Sequence, residues 1–339
     1  MRHYCGIDLH GNNNVISVID EEDRIVFGKR ISNELKSVLS ALEPYRNSIE
    51  GIVVESTYNW YWLVDGLMDN GYKVHLANPA AIKQYEGLKF TDDKSDARWL
   101  AHLLRLGILP TGYIYPKADR PVRDLLRKRG QLVRCRVSNT LSLNNLVARN
   151  QGFSIARNRF QQLEEEDIIA LMEEENLSLA ANANLAVIRC LDEQIEKVEK
   201  AVKAKAKLRP EFRLLKTVPG IGDILALHIA LETGDIGRFP TVGDFSSYCR
   251  TVKSTRITNG KKKGEGNTKC GNKYLAWAFI EAANYAVRYN ERARRFYQRK
   301  SAKRLTVVAR KALANKLARA CYYIMRDRVP FNIERLFTT

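Results

Sequence analysis

Residues 3–30 read HYCGIDLHGNNNVISVIDEEDRIVFGKR, and this stretch decides the fold of the first part of the chain. It contains three short runs rich in β-forming residues, at 3–8, 14–20 and 24–30, and polar turns separate them. Such runs predict three strands connected as a β-meander.

Helical and apolar patterns alternate after these strands. Apolar runs at 52–54 and 73–76 follow helical patterns at about 34–45 and 61–70. Leading strands followed by alternating helices and strands predict an α/β domain with a mixed sheet.

The charge of the chain is strongly positive and unevenly distributed. Its 56 Lys and Arg residues against 38 Asp and Glu residues give a net charge of +18. The net charge is −3 over residues 1–110, +9 over 111–160, −8 over 161–200 and +20 over 201–339. A surplus of this size favours a polyanionic partner, and nucleic acid before a membrane. The blocks of opposite sign indicate modules with different tasks.

Cysteine spacing and hydropathy narrow the class of protein. The six cysteines include no CxxC pair, so the sequence suggests neither a zinc site nor a disulfide framework. The first residues lack the apolar core of a signal peptide, and no run of 18 apolar residues occurs. We therefore expect a cytoplasmic protein without a membrane partner.

A long segment from 120 to about 205 is helical in pattern and almost free of proline and glycine. Apolar residues recur in it at steps of three and four, as in a coiled-coil seam: Leu185, Ile188, Leu191, Ile195, Val198 and Val202. This spacing favours a coiled coil that joins subunits, and the alternative is a surface helix packed on its own domain.

The composition changes again after Pro210, where a Gly-, Lys- and Ser/Thr-rich stretch precedes basic helical patterns. These shifts predict three parts. The first is an α/β domain over 1–150, the second a helical coiled-coil linker over 151–208, and the third a mainly α-helical domain over 209–339.

Four carboxylates are candidates for a metal site. Asp8 ends the first strand, Glu55 ends a later apolar run, and Asp93 and Asp96 lie three apart at the start of a helical pattern over 95–107. Ser95 or Asp93 is a suitable N-cap for that helix.

Acidic residues at strand ends and helix N-termini are commonly caps. The combination is more specific, because carboxylates on a first and a fourth strand plus a DxxD helix form the pattern of an RNase H-like nuclease. Hard oxygen ligands suit Mg²⁺ or Mn²⁺, and a two-metal site can clamp both oxygens of a phosphoryl displacement.

A second candidate site is the Gly- and Lys-rich run STRITNGKKKGEGNTKCGNKYL at 254–275. Its cations are suited to phosphate contacts: Lys261, Lys262, Lys263 and Lys269. Ser254, Thr255 and Thr258 place hydroxyls beside these cations, and a hydroxyl there could attack a phosphodiester. The alternative is a solvated loop that touches backbone phosphates only.

Two further features favour contact with nucleic acid. The sequence VPGIG, with Gly220 and Gly222, resembles the turn of a helix–hairpin–helix, whose backbone N–H groups hold a DNA phosphate. The alternative is an ordinary turn between two helices. Arg127, Lys128 and Arg129 supply three successive cations in the +9 block, which we expect to carry nucleic acid.

Several motifs, in this order, resemble one family over essentially the whole chain. They are GIDLH, VVES, DDKSDA, TVPGIG, SSYCR, NGKKKGEGNTKCGNKYLAWAFIEAA and ARACYYIMRD. No single motif suffices, but together they are similar to the insertion-sequence "one-ten" transposases, relatives of the pilin-gene invertase and known as bridge-RNA-guided recombinases.

The resemblance implies an N-terminal RuvC-like domain with a DEDD set, which falls on Asp8, Glu55, Asp93 and Asp96. It also implies a coiled-coil segment and a C-terminal transposase domain whose serine forms a covalent 5′-phosphoserine linkage to DNA. A structured bridge RNA would pair with donor and target DNA. The resemblance further implies a tetramer built from dimers, in which carboxylates of another subunit assist the serine, and a protein that acts at the bacterial nucleoid.

The sequence departs from the family at the serine. Counting back from TKCGN, the family's serine falls on Thr258. Threonine keeps the hydroxyl, but its β-methyl group restricts the rotamers. Either Thr258 is the nucleophile, which the register favours, or Ser254 takes the role with a shifted loop.

The sequence thus predicts an RNA-guided DNA recombinase, and two alternatives remain open. One is a metal-dependent junction resolvase or nuclease that uses only the four carboxylates and water. The other is a nucleic-acid-binding protein with a weak or inactive catalytic site.

Overall fold

The computed structural model describes residues 1–82, 92–156, 159–160, 162–206, 210–265 and 270–337. The chain forms two compact units, Met1–Lys117 and Ala118–Thr339. The sequence placed the first boundary at 150, whereas the compact unit ends at 117 because the long helix that follows packs within the second unit.

The first unit is built on a five-stranded mixed sheet with the order β3-β2-β1-β4-β5. Its strands are β1 His3–Leu9, β2 Asn13–Ile19, β3 Ile25–Ser32, β4 Ile49–Glu55 and β5 Val74–Ala77. The predicted meander is confirmed, since β1, β2 and β3 pair antiparallel. Strand β4 lies parallel to β1 and β5 parallel to β4. The mixed α/β architecture is therefore as predicted.

Three helices cover the two faces of this sheet: α1 Leu35–Leu42, α2 Tyr61–Asp69 and α3 Asp93–Arg105. Residues Cys5 and Ile7 of β1 share one core with α1 and α2. Gly6 faces α3, and a Cβ atom there would lie 1.9 Å from the carbonyl oxygen of Ala97. The glycine therefore lets α3 approach the central strand closely.

Helix α3 begins two residues earlier than the pattern at 95–107 indicated. Its N-cap is Asp92, whose carboxylate accepts from the backbone N–H of Ser95 at 2.8 Å. The expectation of Ser95 or Asp93 as the cap was wrong, because Ser95 closes the capping box from inside the helix.

The second unit begins with a long pair of helices, α4 Arg120–Gln151 and α6 Glu175–Ala206, with the short α5 Glu165–Leu171 between them. Ion pairs join Arg129 to Glu199 at 2.7 Å and Arg136 to Asp192 at 2.5 Å. From the first ion pair to the second, the residue number rises by seven on α4 and falls by seven on α6. The two helices therefore run antiparallel, and their contacts repeat every seven residues.

The predicted apolar seam lies on α6 and is used inside this chain. Leu185 and Ile188 are almost fully buried in one core with Leu143 and Val147 of α4. The seam therefore packs on its own domain, and a coiled coil between subunits is not what buries it.

The rest of the second unit is mainly helical around one large core. Its helices are α7 Pro210–Leu215, α8 Asp223–Thr233, α9 Val242–Tyr248, α10 Lys273–Tyr289, α11 Glu291–Ser301, α12 Thr306–Asp327 and α13 Ile333–Leu336. A hairpin of β6 Arg256–Thr258 and β7 Lys261–Gly264 projects between α9 and α10 in the chain order. Among the described residues, no helix is both long and apolar enough to cross a bilayer.

Candidate active site

Strand alternation places the predicted carboxylates on the sheet face that α3 covers. Side chains two apart on a strand share a face, so Asp8 lies on the same side as Gly6, against α3. On β4, Val53 packs with Leu100 of α3, and Glu55 shares its face. The parallel pairing of β1 and β4 brings Asp8 and Glu55 to adjacent strand ends.

Asp8 and Glu55 are joined by a hydrogen bond that the protonated Glu55 donates. Asp8 is only 4% exposed. Burial, followed by the hydrogen bond and the charge of Asp8, raises the pKa of Glu55 to about 7. Burial also raises the pKa of Asp8. Two carboxylates this close share a proton unless a cation compensates their charge.

The first turn of α3 brings two more carboxylates to this pair. The charge of Asp96 raises the pKa values of both Asp8 and Glu55, so Asp96 belongs to the same cluster. Asp93 lies at its edge, where the guanidinium of Arg30 donates to Oδ2 at 2.5 Å. All four predicted carboxylates are thus placed around the end of β1.

A histidine that the sequence analysis did not select also lies here. Nε2 of His10 is 3.3 Å from Oδ2 of Asp8 and 3.3 Å from Oδ2 of Asp93. Among the described residues, Asp8, His10 and Asp93 form the group able to offer a cation three ligand atoms within 4.8 Å of one another. The period of two along GIDLH could have identified His10, since it places positions 8 and 10 on one face.

The donor set fits a divalent cation. Carboxylate oxygens are the ligands that Mg²⁺ and Mn²⁺ prefer, and the carboxylates compete for a proton in the absence of added positive charge. A bound cation would hold Asp8 and Glu55 ionised at neutral pH. It would also neutralise charge on a phosphate in transfer.

Thr258 lies at the exposed end of β6, next to the turn of the hairpin. The turn residues Asn259 and Gly260 both have positive φ angles, 49° and 69°, as a tight two-residue hairpin requires. Lys261 pairs with Thr258 across the hairpin.

The strand that pairs with Thr258 carries three successive cations. Lys261, Lys262 and Lys263 are all exposed, and Lys262 has a long contact of 3.8 Å with Glu265. The fourth predicted phosphate contact, Lys269, lies outside the described residues.

Ser254 lies in the loop before β6, and its Oγ is buried without a hydrogen-bond partner. Both ends of this loop are fixed at its base. Arg250 donates to the carbonyl oxygen of Gly271 at 2.7 Å, and the N–H of Asn272 donates to that of Tyr248 at 2.6 Å. The segment that carries both candidate hydroxyls thus projects from a closed base.

The two glycines of the VPGIG turn serve different purposes. Gly220 has a φ of 85°, and a Cβ atom there would lie 2.3 Å from the carbonyl oxygen of Ala282 on α10. It is therefore needed for packing. Gly222 precedes α8 as its N-cap and has open space beside its Cα. The turn borders a cleft of about 710 Å³.

The three successive cations of α4 differ in their surroundings. Arg127 forms a bidentate pair with the buried Glu232, at 2.6 and 2.8 Å, and Arg129 pairs with Glu199. Lys128 between them is exposed. The charges of the two arginines are therefore already compensated within the unit, which the sequence analysis did not foresee, and their contact with nucleic acid stays a prediction.

Comparison with known families identifies similarity over both units. The model of an IS110-type DEDD transposase domain matches residues 5–149. A second model, described as the transposase IS116/IS110/IS902 family, matches residues 212–298.

Individual relatives extend over most of the chain. It is 23% identical to the transposase for insertion sequence element IS1111A of Coxiella burnetii, over 84% of this chain and 78% of the relative. It is 22% identical to a probable family 20 transposase of Pseudomonas aeruginosa, over 94% and 96%. It is 23% identical to the transposase for insertion sequence element IS1328 of Yersinia enterocolitica, over 96% and 98%.

Proposed function

Since this chain belongs to the IS116/IS110/IS902 family of insertion-sequence transposases, we propose that it cuts and rejoins DNA through a covalent hydroxyl–DNA intermediate. Metal-bound carboxylates assist the reaction. A structured guide RNA, which corresponds to the bridge RNA of the similar family, selects the donor and target DNA. The observation that carries this proposal is the cluster of Asp8, Glu55, Asp93 and Asp96 at the end of β1.

The carboxylates would hold Mg²⁺ or Mn²⁺, which supplies positive charge to the transferring phosphate. Asp8 lies in the centre of the cluster and would contribute to each ligand group. Glu55 and Asp96 approach it from β4 and α3. The proton that Glu55 holds must leave before a cation binds, so we expect cation binding to be weak below pH 7.

Thr258 is the favoured nucleophile because it is exposed at the hairpin tip. The strand that pairs with it carries Lys261, Lys262 and Lys263. The hydroxyl oxygen of Thr258 attacks the phosphorus atom of a DNA phosphodiester and loses its proton to a base. The bond from phosphorus to the 3′ oxygen breaks, and that oxygen leaves as a 3′-hydroxyl group after taking up a proton. The 5′ end remains attached to the protein as a phosphothreonine.

Rejoining reverses these bond changes with another strand. A 3′-hydroxyl group attacks the phosphothreonine, the new phosphodiester forms, and the hydroxyl of Thr258 is released. The energy of the original bond is kept in the intermediate, so no nucleotide cofactor is required. Lysine charge near the hairpin would stabilise the transition state.

Guide RNA and DNA would bind mainly through the basic second unit. The exposed lysines of β7 and Lys128 are suited to phosphate contacts, and the open backbone at Gly222 is suited to one more. The protein would assemble as a dimer and then a tetramer, with the carboxylates of one subunit assisting the hydroxyl of another. Because the apolar seam of α6 is buried within the chain, other surfaces would form the contacts between subunits.

Trapping of the covalent intermediate tests the proposal. The protein is incubated with guide RNA, labelled DNA and Mg²⁺, and then resolved on a denaturing gel. We expect a protein–DNA adduct that Thr258→Ala abolishes and Thr258→Ser preserves. Thr255→Ala is the matched control, because Thr255 is an exposed hydroxyl in the same loop. An adduct that is lost in Ser254→Ala and kept in Thr258→Ala would instead assign the nucleophile to Ser254.

The carboxylates are tested in the same assay. Asp8→Ala, Glu55→Ala and Asp96→Ala should each abolish strand exchange while RNA binding remains. Full activity of all three variants would disprove the metal site. Cleavage without any adduct would favour a water-using junction resolvase, and binding that persists in EDTA without cleavage under any metal would favour a binding protein.

A further inference from the structure

We propose that His10 is a metal ligand through Nε2. It would bind a cation together with Asp8 and Asp93, in a position with mixed nitrogen and oxygen donors. The inference rests on the proposed metal-dependent function and adds a residue to the four predicted carboxylates.

The Nε2 atom of His10 is positioned to bind a cation together with Asp8 and Asp93. Nε2 is equally distant, at 3.3 Å, from one oxygen of Asp8 and one of Asp93. It is buried and forms a hydrogen bond with neither. A histidine held only as the counter-charge of one carboxylate would be expected to donate to it at 2.7–3.2 Å. The atom instead lies between two oxygens, with all three within 4.8 Å of one another.

The backbone at His10 is fixed from three directions. Its carbonyl oxygen accepts from Nδ2 of Asn33 at 3.0 Å and from Nδ2 of Asn59 at 3.0 Å. Its N–H donates to the carbonyl oxygen of Asn13 at 2.9 Å. These bonds fix the backbone of His10 directly after the end of β1, so its side chain starts from a fixed point beside Asp8 and Asp93.

Arg30 is the competing cation at this position. Its guanidinium lies 2.5 Å from the same oxygen of Asp93 that faces His10. Both side chains of that pair are substantially exposed, at 56% and 38%, so the pair is weak and a divalent cation can displace it.

The nitrogen donor changes which metals the position prefers. Imidazole is a borderline ligand that suits later first-row metals such as Zn²⁺, whereas carboxylates suit both Mg²⁺ and Mn²⁺. Mn²⁺ is the softer of these two ions and accepts a nitrogen ligand more readily than Mg²⁺ does. Loss of His10 should therefore weaken Mn²⁺ binding more than Mg²⁺ binding. We expect the dissociation constant for Mn²⁺ to rise about tenfold or more in His10→Ala.

Electron paramagnetic resonance of bound Mn²⁺ tests the inference without an activity assay. The full-length protein is titrated with Mn²⁺, and spin-echo modulation then reports whether a ¹⁴N nucleus is directly coordinated. We expect ¹⁴N modulation in the wild type and none in His10→Ala or His10→Gln. His3→Ala is the matched control, because His3 begins the strand that His10 follows, about 20 Å away.

The outcomes separate this inference from the proposed function. Mn²⁺ bound without ¹⁴N coupling in the wild type overturns the role of His10 and leaves the carboxylate site intact. Coupling that persists in His10→Ala also overturns it. A wild type that binds no Mn²⁺ overturns both proposals. Thermal unfolding of each variant verifies that the fold is retained.

Discussion

His228 lies inside α8, 1% exposed, with its ring edge-on to Trp277 at 5.1 Å. Neither ring nitrogen has a hydrogen-bond partner. Burial is the main cause that lowers the pKa of His228 to about 4, and the charges of Arg129 and Arg127 lower it further, while Glu232 opposes them. The neutral imidazole therefore acts as an aromatic core side chain.

This lowered pKa predicts that the second unit loses stability in mild acid. Above pH 6.5 the imidazole is neutral in the folded and unfolded chains, so its contribution is complete. Below pH 6.5 His228 takes up a proton in the unfolded chain, whereas in the folded chain it stays neutral down to about pH 4. We expect a loss of about 2 kcal/mol between pH 7.5 and pH 5 that His228→Phe lacks. Urea unfolding at both pH values measures it, and equal losses in both proteins would contradict it.

At the scale of elements, one buried carboxylate joins three helices. Glu232 of α8, 1% exposed, accepts from Arg123 at 3.1 Å and from Arg127 of α4. It also accepts from Asn272 at 2.8 Å, and Oδ1 of Asn272 caps the start of α10. The base of the hydroxyl-bearing loop is thereby tied to the long helix pair.

Removal of this carboxylate should be costly. Glu232→Ala leaves the arginines without their buried partner, and loss of one member of a buried ion pair costs about 3–5 kcal/mol. Glu193→Ala is the control, because Glu193 pairs with Lys197 on the exposed surface of α6, where such pairs contribute about 0–1 kcal/mol. Chemical denaturation compares the two. A small and equal effect would show that Glu232 does not hold the helices together.

The elements differ in how well the sequence predicted them, for physical reasons. Strands β1–β5 were predicted because short apolar runs are local signals. The four carboxylates were predicted for the same reason, since Asp8 and Glu55 end such runs and Asp93 and Asp96 begin a helical pattern. The seam of α6 was visible as a period, but a period does not identify the partner, which is α4 of the same chain. The pairing of Glu232 with Arg127 joins residues 105 positions apart, and no local pattern encodes such a contact.

At the scale of the whole molecule, the structure changes the meaning of the charge blocks. The +9 block lies largely on α4. The −8 block divides into −6 over residues 161–174, which include α5, and −2 over the part of α6 up to residue 200, and α4 and α6 pair with each other. Ion pairs such as Arg136 with Asp192 compensate charge between them. The surplus that remains for nucleic acid is mainly the +20 of residues 201–339.

Salt dependence should therefore follow the hairpin rather than the helix pair. Neutralising Lys261, Lys262 and Lys263 together should reduce the slope of log K against log salt by about 2 to 3 for duplex DNA. Arg136→Gln removes a paired cation and should leave the slope unchanged. Binding titrations at several salt concentrations measure both. Equal changes in slope would mean that α4 also contacts phosphates.

The heptad register of α4 and α6 has a consequence for the length of the chain. The paired residues shift by seven positions in opposite directions along α4 and α6. Deleting seven residues from both helices therefore brings the next layer of contacts into register. A deletion from only one helix rotates every later contact out of register. The α4–α6 pair is thus a spacer whose length can be changed by deleting seven residues from both helices. A protein shortened in this way would keep its hairpin and its carboxylates, and only the length of the helix pair would change.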